Sequence, residues 1–191
     1  MKIKNLSTLL LIAGLLLIGK SSYMTVKAEL AQLLINHTWY ARQQNEQPAK
    51  PWPWADTRVI AMLEFPAQQV KRFVMHDANA ESLAFGPGLV TVNSLPASSN
   101  HSIIAGHRDS HFEFLQEVKI GDQFLVTNFL GQHQSYRVVD IRVINSDKEQ
   151  LIHSNDEDLI SLITCYPFND ITSGPQRLVI DAQPVTIAMS I

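Results

Sequence analysis

The sequence predicts a mainly β protein whose strands close into a barrel. From residue 57 onwards, apolar and polar residues alternate with a period of two, and the apolar members include many valines, isoleucines and phenylalanines. The alternating segments are short and are separated by turns that contain glycine, proline, asparagine and aspartate. Hardly any segment after residue 57 repeats apolar residues at helical spacing. Because closure removes exposed edge strands, we expect a closed antiparallel or mixed barrel.

Chain size and composition fit one folded domain with an N-terminal appendage. The chain has 191 residues, 46% of them hydrophobic, which is enough for one core of ordinary size. The net charge is −3 and charged residues make up 17%, so there is no basic surplus that would indicate nucleic-acid binding. The single cysteine excludes an internal disulfide.

The N-terminal segment reads as an export signal. Lys2 and Lys4 precede a run of leucine, isoleucine and alanine at 6–18. This run has the length of a signal-peptide core and is shorter than the roughly 20 residues that span a bilayer. If the segment is extended through residues 19–26, it reaches that length. Because the cleavage-like sequence Val26-Lys27-Ala28 lies far from the end of the run, an uncleaved anchor is favoured over cleavage. We therefore expect residues 1–27 to anchor the chain in a membrane.

Residues 28–40 predict an amphipathic helix that leaves the membrane. Its apolar positions recur at helical spacing and are Leu30, Leu33, Leu34 and Trp39. We expect this stripe to pack on the barrel, and a role at a membrane surface or with a partner is the alternative.

A segment rich in proline, glutamine and tryptophan follows at 43–54. This composition predicts an extended linker. The expected organisation is therefore an anchor at 1–27, a helix and linker at 28–56, and a barrel domain at 57–191.

The barrel domain contains seven predicted strands, at 58–64, 69–75, 101–105, 123–129, 135–145, 159–164 and 178–180. Short helices are predicted at 78–84 and 112–118. Glycines and prolines at 85–88 and 95–96 predict a shaped loop ahead of the strand at 101–105.

The only cysteine, Cys165, lies at the carboxyl end of a predicted buried strand. Pro167 ends the strand just beyond it, so the thiol is both rigidly placed and open to a ligand. Because a free cysteine is most often a small buried hydrophobe, a structural role is the competing interpretation. A Gly106-His107-Arg108 segment elsewhere in the chain offers the thiol a partner.

Three separated motifs resemble the sortase family. Ser161-Leu162-Ile163-Thr164-Cys165 resembles its active-site strand, Thr-Leu-x-Thr-Cys, with serine at the first position, and Arg177 follows twelve residues later. Ala105-Gly106-His107-Arg108-Asp109 is similar to the histidine segment of the family. The sequences of these motifs most resemble those of class D sortases and of sortases from Gram-negative marine bacteria. The resemblance extends over residues 57–181 and implies an eight-stranded barrel.

These motifs supply three candidate catalytic side chains. A thiol with an ordinary pKa of about 8.5 is mostly protonated at neutral pH, so Cys165 needs a basic or cationic neighbour. His107 can act as a neutral base or as an imidazolium paired with the thiolate, and both schemes remain open. Arg177 offers directed N–H donors for an oxyanion, and its rival role is a salt bridge with Asp181. Arg108 is expected to point away from the site, because neighbours on a strand face opposite sides.

Four further residues are candidate substrate contacts. Tyr166 and Phe168 flank the cysteine and are expected to form apolar walls for an extended peptide. Thr164 either binds that peptide or continues the sheet. Phe85 either touches substrate or fills the core.

Three histidines lie within eleven positions, at 101, 107 and 111. No second cysteine and no convincing helical His-x-x-x-His accompanies them, so we expect neither a metal nor another cofactor. Asp109 either orients His107 or, with Ser110, caps the helix predicted at 112–118, and capping is the favoured role.

The resemblance implies a membrane-anchored cysteine transpeptidase that acts on the extracytoplasmic, or periplasmic, side of the cytoplasmic membrane. Its expected partners are an exported protein with a C-terminal sorting signal of the Leu-Pro-x-Thr-Gly kind and an amine acceptor. Cys165 attacks the threonine carbonyl, His107 protonates the leaving amine, and Arg177 supports the thioacyl enzyme. A cysteine endopeptidase or hydrolase with the same site and a catalytically silent peptide-binding barrel are the alternatives.

Overall fold

The computed structural model describes residues 2–41, 47–91, 94–98, 100–149, 158–170, 172 and 174–185, with only part of the side chains within 2–25. The chain begins with a single long helix, α1 (Lys2–Ala41). Most side chains of the apolar run at 6–18 lie outside those described. Among the described residues, no helix combines the length and the apolar character that crossing a membrane requires.

Eight strands form a closed barrel, which confirms the mainly β fold and the strand number implied by the resemblance. In chain order, the elements after α1 are β1 (Val59–Phe65), β2 (Val70–Met75), α2 (Ala80–Phe85), β3 (Gly88–Leu89), β4 (Ser102–Ala105), a 3-10 helix (Glu113–Glu117), β5 (Gln123–Asn128), β6 (His133–Asn145), β7 (Ile160–Cys165) and β8 (Gln176–Pro184). The order around the barrel is β1-β2-β3-β4-β7-β8-β6-β5. The β2–β3 and β4–β7 pairs are parallel, and the other pairs are antiparallel.

The barrel interior is filled by large apolar side chains from alternate strand positions. Phe65 stacks on Phe124 with ring centroids 4.4 Å apart, and Phe114 meets Phe65 edge to face. Ile104 and Leu162 are fully buried on the neighbouring β4 and β7. Each such side chain contributes about 1.5–3 kcal/mol of burial free energy, so the strands that carry the candidate site are anchored by the core.

Two strands differ from the predictions. β3 was predicted as loop because two residues are too few to show a period of two. Its pairing depends on close packing, since a Cβ on Gly88 would lie 2.0 Å from the carbonyl oxygen of Asp77. β8 is longer than the predicted 178–180 because it pairs with β7 on one side and with β6 on the other.

The face of α1 that packs on the barrel is not the predicted one. Ala31, Ile35 and Trp39 are buried, whereas Leu33 is 67% exposed and Leu30 is 52% exposed. The predicted stripe is therefore wrong except at Trp39. Residues 31, 35 and 39 form a second stripe at four-residue spacing, and Ile35 and Trp39 of this stripe pack against Met62 and Met75 of the barrel.

The described part of the predicted linker, 47–54, packs on the barrel. Ala49 forms a β-bridge with Val59, and the Trp52 ring meets Phe85 at a centroid distance of 5.1 Å. These residues therefore do not form the free extended spacer expected from their composition. Residues 43–46 lie outside the described chain.

Candidate active site

Cys165 and Arg177 face each other across two neighbouring strands. Cys165 is the last residue of β7, and its Cα partner in antiparallel β8 is Arg177. Directly opposed residues place their side chains on the same face of a sheet, with Cβ atoms about 4.5–5.5 Å apart. The cysteine is a free thiol and is partly exposed. A thiol and a guanidinium therefore share one end of the barrel.

His107 leaves the same edge of the sheet. Parallel β4 and β7 are in register, with Ala105 opposite Ile163, so the residues two positions further along are His107 and Cys165. The Gly106 N–H donates to the Ile163 carbonyl at 3.0 Å and the Thr164 hydroxyl donates to the Gly106 carbonyl at 2.7 Å, so the chain is tied to β7 up to Gly106. His107 and Cys165 thus lie at the carboxyl ends of two adjacent parallel strands, His107 two residues beyond β4 and Cys165 at the last position of β7.

The backbone before His107 is fixed by the core. A Cβ on Gly106 would lie 2.7 Å from Cδ2 of the fully buried Phe112 ring, so a larger residue would push that ring away. The Phe112 N–H also donates to the His107 carbonyl at 2.9 Å. The glycine therefore allows the histidine segment to lie directly on a core aromatic ring.

Arg177 does not form the salt bridge that was its rival role. Asp181 instead pairs with Arg142 and accepts a 2.5 Å hydrogen bond from the Ser161 hydroxyl. Nη1 of Arg177 donates to the carbonyl oxygens of Gly174 and Gln176 at 2.6 and 2.8 Å. Within the described chain, the other guanidinium nitrogens have no protein partner. The side chain is therefore oriented from one end while the remaining N–H donors can serve a ligand.

Arg108 has a role that the sequence analysis did not predict. It is 9% exposed, and its guanidinium donates to the carbonyl oxygens of Pro167 at 2.8 Å and Thr172 at 2.9 Å, and also to that of Asp170. These carbonyls belong to the segment that follows Cys165. No local pattern could reveal these contacts, because the acceptors lie 59 to 64 residues further along the chain.

The candidate substrate contacts have different surroundings. Tyr166 and Phe168 are partly buried and meet edge to face at 6.4 Å between ring centroids, beside the thiol. Thr164 is 2% exposed, and its hydroxyl donates to the Gly106 carbonyl at 2.7 Å. These contacts favour a role for Thr164 in joining β7 to the histidine segment rather than in binding a peptide.

Phe85 is partly buried and packs against the apolar cluster that contains Ile35 and Trp39, as its expected core role requires, and its contact with substrate stays a prediction. Its ring packs against Trp52, and it borders a cavity that also reaches His107.

The structure also bears on Asp109 and on the three clustered histidines. The 3-10 helix starts after Phe112 and has no side-chain cap, so the predicted capping role of Asp109 is wrong. His101 precedes β4, at the opposite end of that strand from His107, and lies 2.8 Å from the Ser161 hydroxyl. The three clustered histidines therefore do not converge on one point.

His111 is partly buried, and burial lowers its pKa despite a hydrogen bond from its ring to the Ala84 carbonyl. The nearby Arg72 and His107 also lower this pKa. His111 therefore remains neutral over a wider pH range than a solvent-exposed histidine.

The fold and the site together define a closed β-barrel with a partly exposed thiol, a guanidinium and an imidazole at one end. A model of the sortase domain family matches residues 63–185, which is more than half of the chain. The chain belongs to the sortase family.

Individual relatives support this assignment. Sortase D of Bacillus subtilis (strain 168) is 26% identical over 126 residues, covering 65% of this chain and 63% of the relative, so the chain spans less than two thirds of that protein. The structure of sortase C1 from Streptococcus agalactiae is 28% identical with a TM-score of 0.58, and the match covers 66% of this chain and 67% of the sortase C1 chain. Sortase A of Corynebacterium diphtheriae, at 21% identity and a TM-score of 0.61 with 87% of each chain covered, supports the fold alone.

Proposed function

We propose that this protein is a cysteine transpeptidase of the class D type, which cleaves a sorting signal in an exported protein and joins the new carboxyl end to an amine. The observation that carries the proposal is the opposition of Cys165 and Arg177, with His107 two residues beyond the end of the adjacent parallel strand β4. Membership of the sortase family and the likeness to a sortase D support the same activity.

In the first half-reaction, Sγ of Cys165 attacks the threonine carbonyl of a Leu-Pro-x-Thr-Gly signal. Arg177 donates N–H bonds to the oxyanion as it forms, and this charge stabilisation is the largest catalytic contribution expected here. His107 passes a proton to the leaving amine, and the thioacyl enzyme remains. An amine then attacks the thioester and releases the joined product.

The peptide is proposed to lie along the segment that follows the thiol. Tyr166 and Phe168 provide apolar walls there, and three carbonyls of the same segment are held by Arg108. Thr164 positions the histidine segment through its bond to Gly106.

We also propose that residues 1–27 hold the protein at the cytoplasmic membrane, with the barrel of residues 57–191 on the extracytoplasmic side and residues 28–56 between them. The apolar run at 6–18, preceded by lysines, supports this location. Carbonate extraction of membranes tests it. The protein should stay in the membrane pellet, and a variant with aspartates within 6–18 should appear in the supernatant.

Activity is tested with the full chain, a fluorogenic peptide that contains Leu-Pro-x-Thr-Gly, and triglycine. We expect peptide cleavage together with a ligated product, and no product from the Cys165→Ala variant. Cleavage that never yields ligated product, whatever the amine concentration, would indicate the hydrolase alternative. Peptide binding without cleavage would indicate the silent barrel.

A further inference from the structure

The cavity that Phe85 borders is lined by His107 but not by Cys165. It has a volume of about 520 Å³ and is bounded by α1, β2, the turn after α2 and the segment 107–111. In the order β2-β3-β4-β7-β8, this cavity lies towards β2 and β3, whereas Cys165 and Arg177 lie on β7 and β8. His107 therefore lines this cavity, whereas Cys165 and Arg177 do not, and strand register places the same histidine at the end of the barrel that carries the thiol.

The cavity has the size and lining of a binding site for a small group. Its volume falls within the roughly 300–1,000 Å³ typical of ligand sites. Leu83, Phe85 and Pro87 form an apolar surface, while Ser110 and His111 bring polar atoms to the same space. Such a mixed lining suits an aliphatic chain that ends in a polar group.

The N-terminal helix forms one wall of the cavity. Ala28, Glu29 and Gln32 of α1 line it, and Nε2 of Gln32 donates to the Phe85 carbonyl at 2.8 Å. On the same helix, the buried side chains of Ala31 and Ile35 hold this wall against the protein. The cavity is thus built jointly by the barrel and by the helix that precedes it.

The charges around the cavity favour an uncharged amine. Arg72 lies beneath the cavity, donates to the His111 carbonyl at 3.0 Å and is partly desolvated, which lowers its pKa. Lys71 also lines the cavity and pairs with Glu64 at 2.7 Å, while Glu29 is the acidic residue of the lining. The Arg72 charge and partial desolvation both lower the pKa of a bound amine, while the solvent-exposed Glu29 carboxylate is screened and raises it less, so more of the amine is in the nucleophilic free-base form.

We propose that this cavity binds the acceptor, a primary amine carried on a short peptide or aliphatic chain, and presents it to the thioester past His107. The inference rests on the proposed transpeptidase function. The amine lone pair forms a C–N bond to the thioacyl carbonyl carbon, and the C–S bond breaks with its electron pair going to sulfur. His107 takes the proton lost by nitrogen and returns it to the thiolate, so the products are an amide and the free thiol. No oxidant or reductant is needed.

A matched pair of helix variants tests this site in the full chain. Ala28→Trp places a large ring into the cavity from an exposed helix position, and Leu33→Trp adds a similar ring at a residue of α1 that is 67% exposed and does not line the cavity. The measurements are the rate of sorting-peptide cleavage and the ratio of ligated to hydrolysed product at fixed triglycine. Thermal unfolding of both variants controls for folding.

We expect Ala28→Trp to leave the cleavage rate within about twofold and to lower the ligation-to-hydrolysis ratio by roughly tenfold, a loss of about 1.4 kcal/mol in acceptor binding. Leu33→Trp should match the wild type in both measurements. A wild-type ratio in Ala28→Trp overturns the proposal, and so does an equal loss of cleavage and ligation. If the wild-type chain cleaves no peptide, the proposed function fails instead.

A binding measurement tests the cavity without turnover. Cys165→Ala protein is titrated with triglycine while the imidazole resonances of His107 and His111 are followed. Triglycine-induced shifts of these resonances support the acceptor site if they disappear in the Cys165→Ala protein that also carries Ala28→Trp and persist in the one that also carries Leu33→Trp. Unchanged imidazole resonances at high triglycine concentration overturn it.

Discussion

Cys165 and Arg177 are directly opposed at the end of the β7–β8 pair. The pairing continues one step further, where the Tyr166 N–H donates to the Gln176 carbonyl at 3.0 Å. The Cys165–Arg177 pair therefore has paired backbone on both sides, since Thr164 and Leu178 are paired on the other side. Two backbone carbonyls then fix one nitrogen of the guanidinium. The arrangement is therefore in place before any substrate arrives, as electrostatic stabilisation of an oxyanion requires.

The first prediction concerns the shape of the guanidinium. Arg177→Lys keeps the charge and loses the planar set of N–H donors, so kcat for the sorting peptide should fall roughly 100-fold or more. Alkylation of Cys165 by iodoacetamide, which forms no oxyanion, should change much less. Arg137→Lys, at an exposed position of β6, is the matched control. Full activity in Arg177→Lys would show that directed donors are not needed.

A second prediction concerns Arg108 and the segment after the thiol. Hydrogen bonds from a charged donor contribute about 1.5–3 kcal/mol each, and lysine cannot reach all three carbonyls. Arg108→Lys should therefore speed amide hydrogen exchange at residues 166 and 168–170 and raise KM for the sorting peptide several-fold more than it lowers kcat.

Arg137→Lys again controls for the loss of an arginine. Exchange and KM that both match the wild type would contradict a positioning role for Arg108. If kcat falls by the same factor as KM rises and the protein is also less stable, Arg108 acts on folding alone.

The third prediction addresses a buried polar group far from the thiol. The Ser161 hydroxyl lies 2.8 Å from Nε2 of His101 and donates to Asp181, and all three residues are buried. Ser161→Ala removes one partner from each and should lower the free energy of unfolding by about 1–3 kcal/mol. Urea unfolding measures this loss, with the exposed Ser110→Ala as control. Equal stability of Ser161→Ala and the wild type would contradict the argument.

The fourth prediction is a pH dependence of stability. Burial lowers the pKa of His111, so the folded state disfavours protonation relative to the unfolded chain, where the value is about 6.5. Its contribution to stability is complete above that pH and is lost as the pH falls through the folded-state pKa.

His111→Gln keeps a donor for the Ala84 carbonyl without a titratable group. The melting temperature of this variant should fall less than that of the wild type between pH 7.5 and pH 5. Parallel curves for the two proteins would show that His111 does not carry this effect.

Much of the fold could be predicted because short-range sequence patterns determine it. The alternating residues of β1, β2, β5, β6 and β7 each mark a strand within a few positions. The short separation of Cys165 and Arg177 places them on two consecutive strands, and Gly106 before His107 marks a change of direction at a strand end. These features need no knowledge of distant contacts.

Other features depend on contacts that no local pattern contains. Arg108 binds carbonyls more than fifty positions away, and their position is set by the barrel. On α1 two stripes with helical spacing compete, and the barrel surface selects the one with Ala31 and Ile35 over the one with Leu30 and Leu33. The cavity beside His107 exists only once that helix has docked.

The most direct test of the account is the mass of the enzyme during turnover. The full chain is mixed with a Leu-Pro-x-Thr-Gly peptide without amine, quenched in acid within seconds, and digested for mass spectrometry. We predict that the segment containing Cys165 gains the mass of the peptide up to its threonine, less one water, and that added triglycine removes this adduct. Peptide cleavage with no adduct on Cys165, or cleavage that persists in Cys165→Ala, would contradict the proposed mechanism.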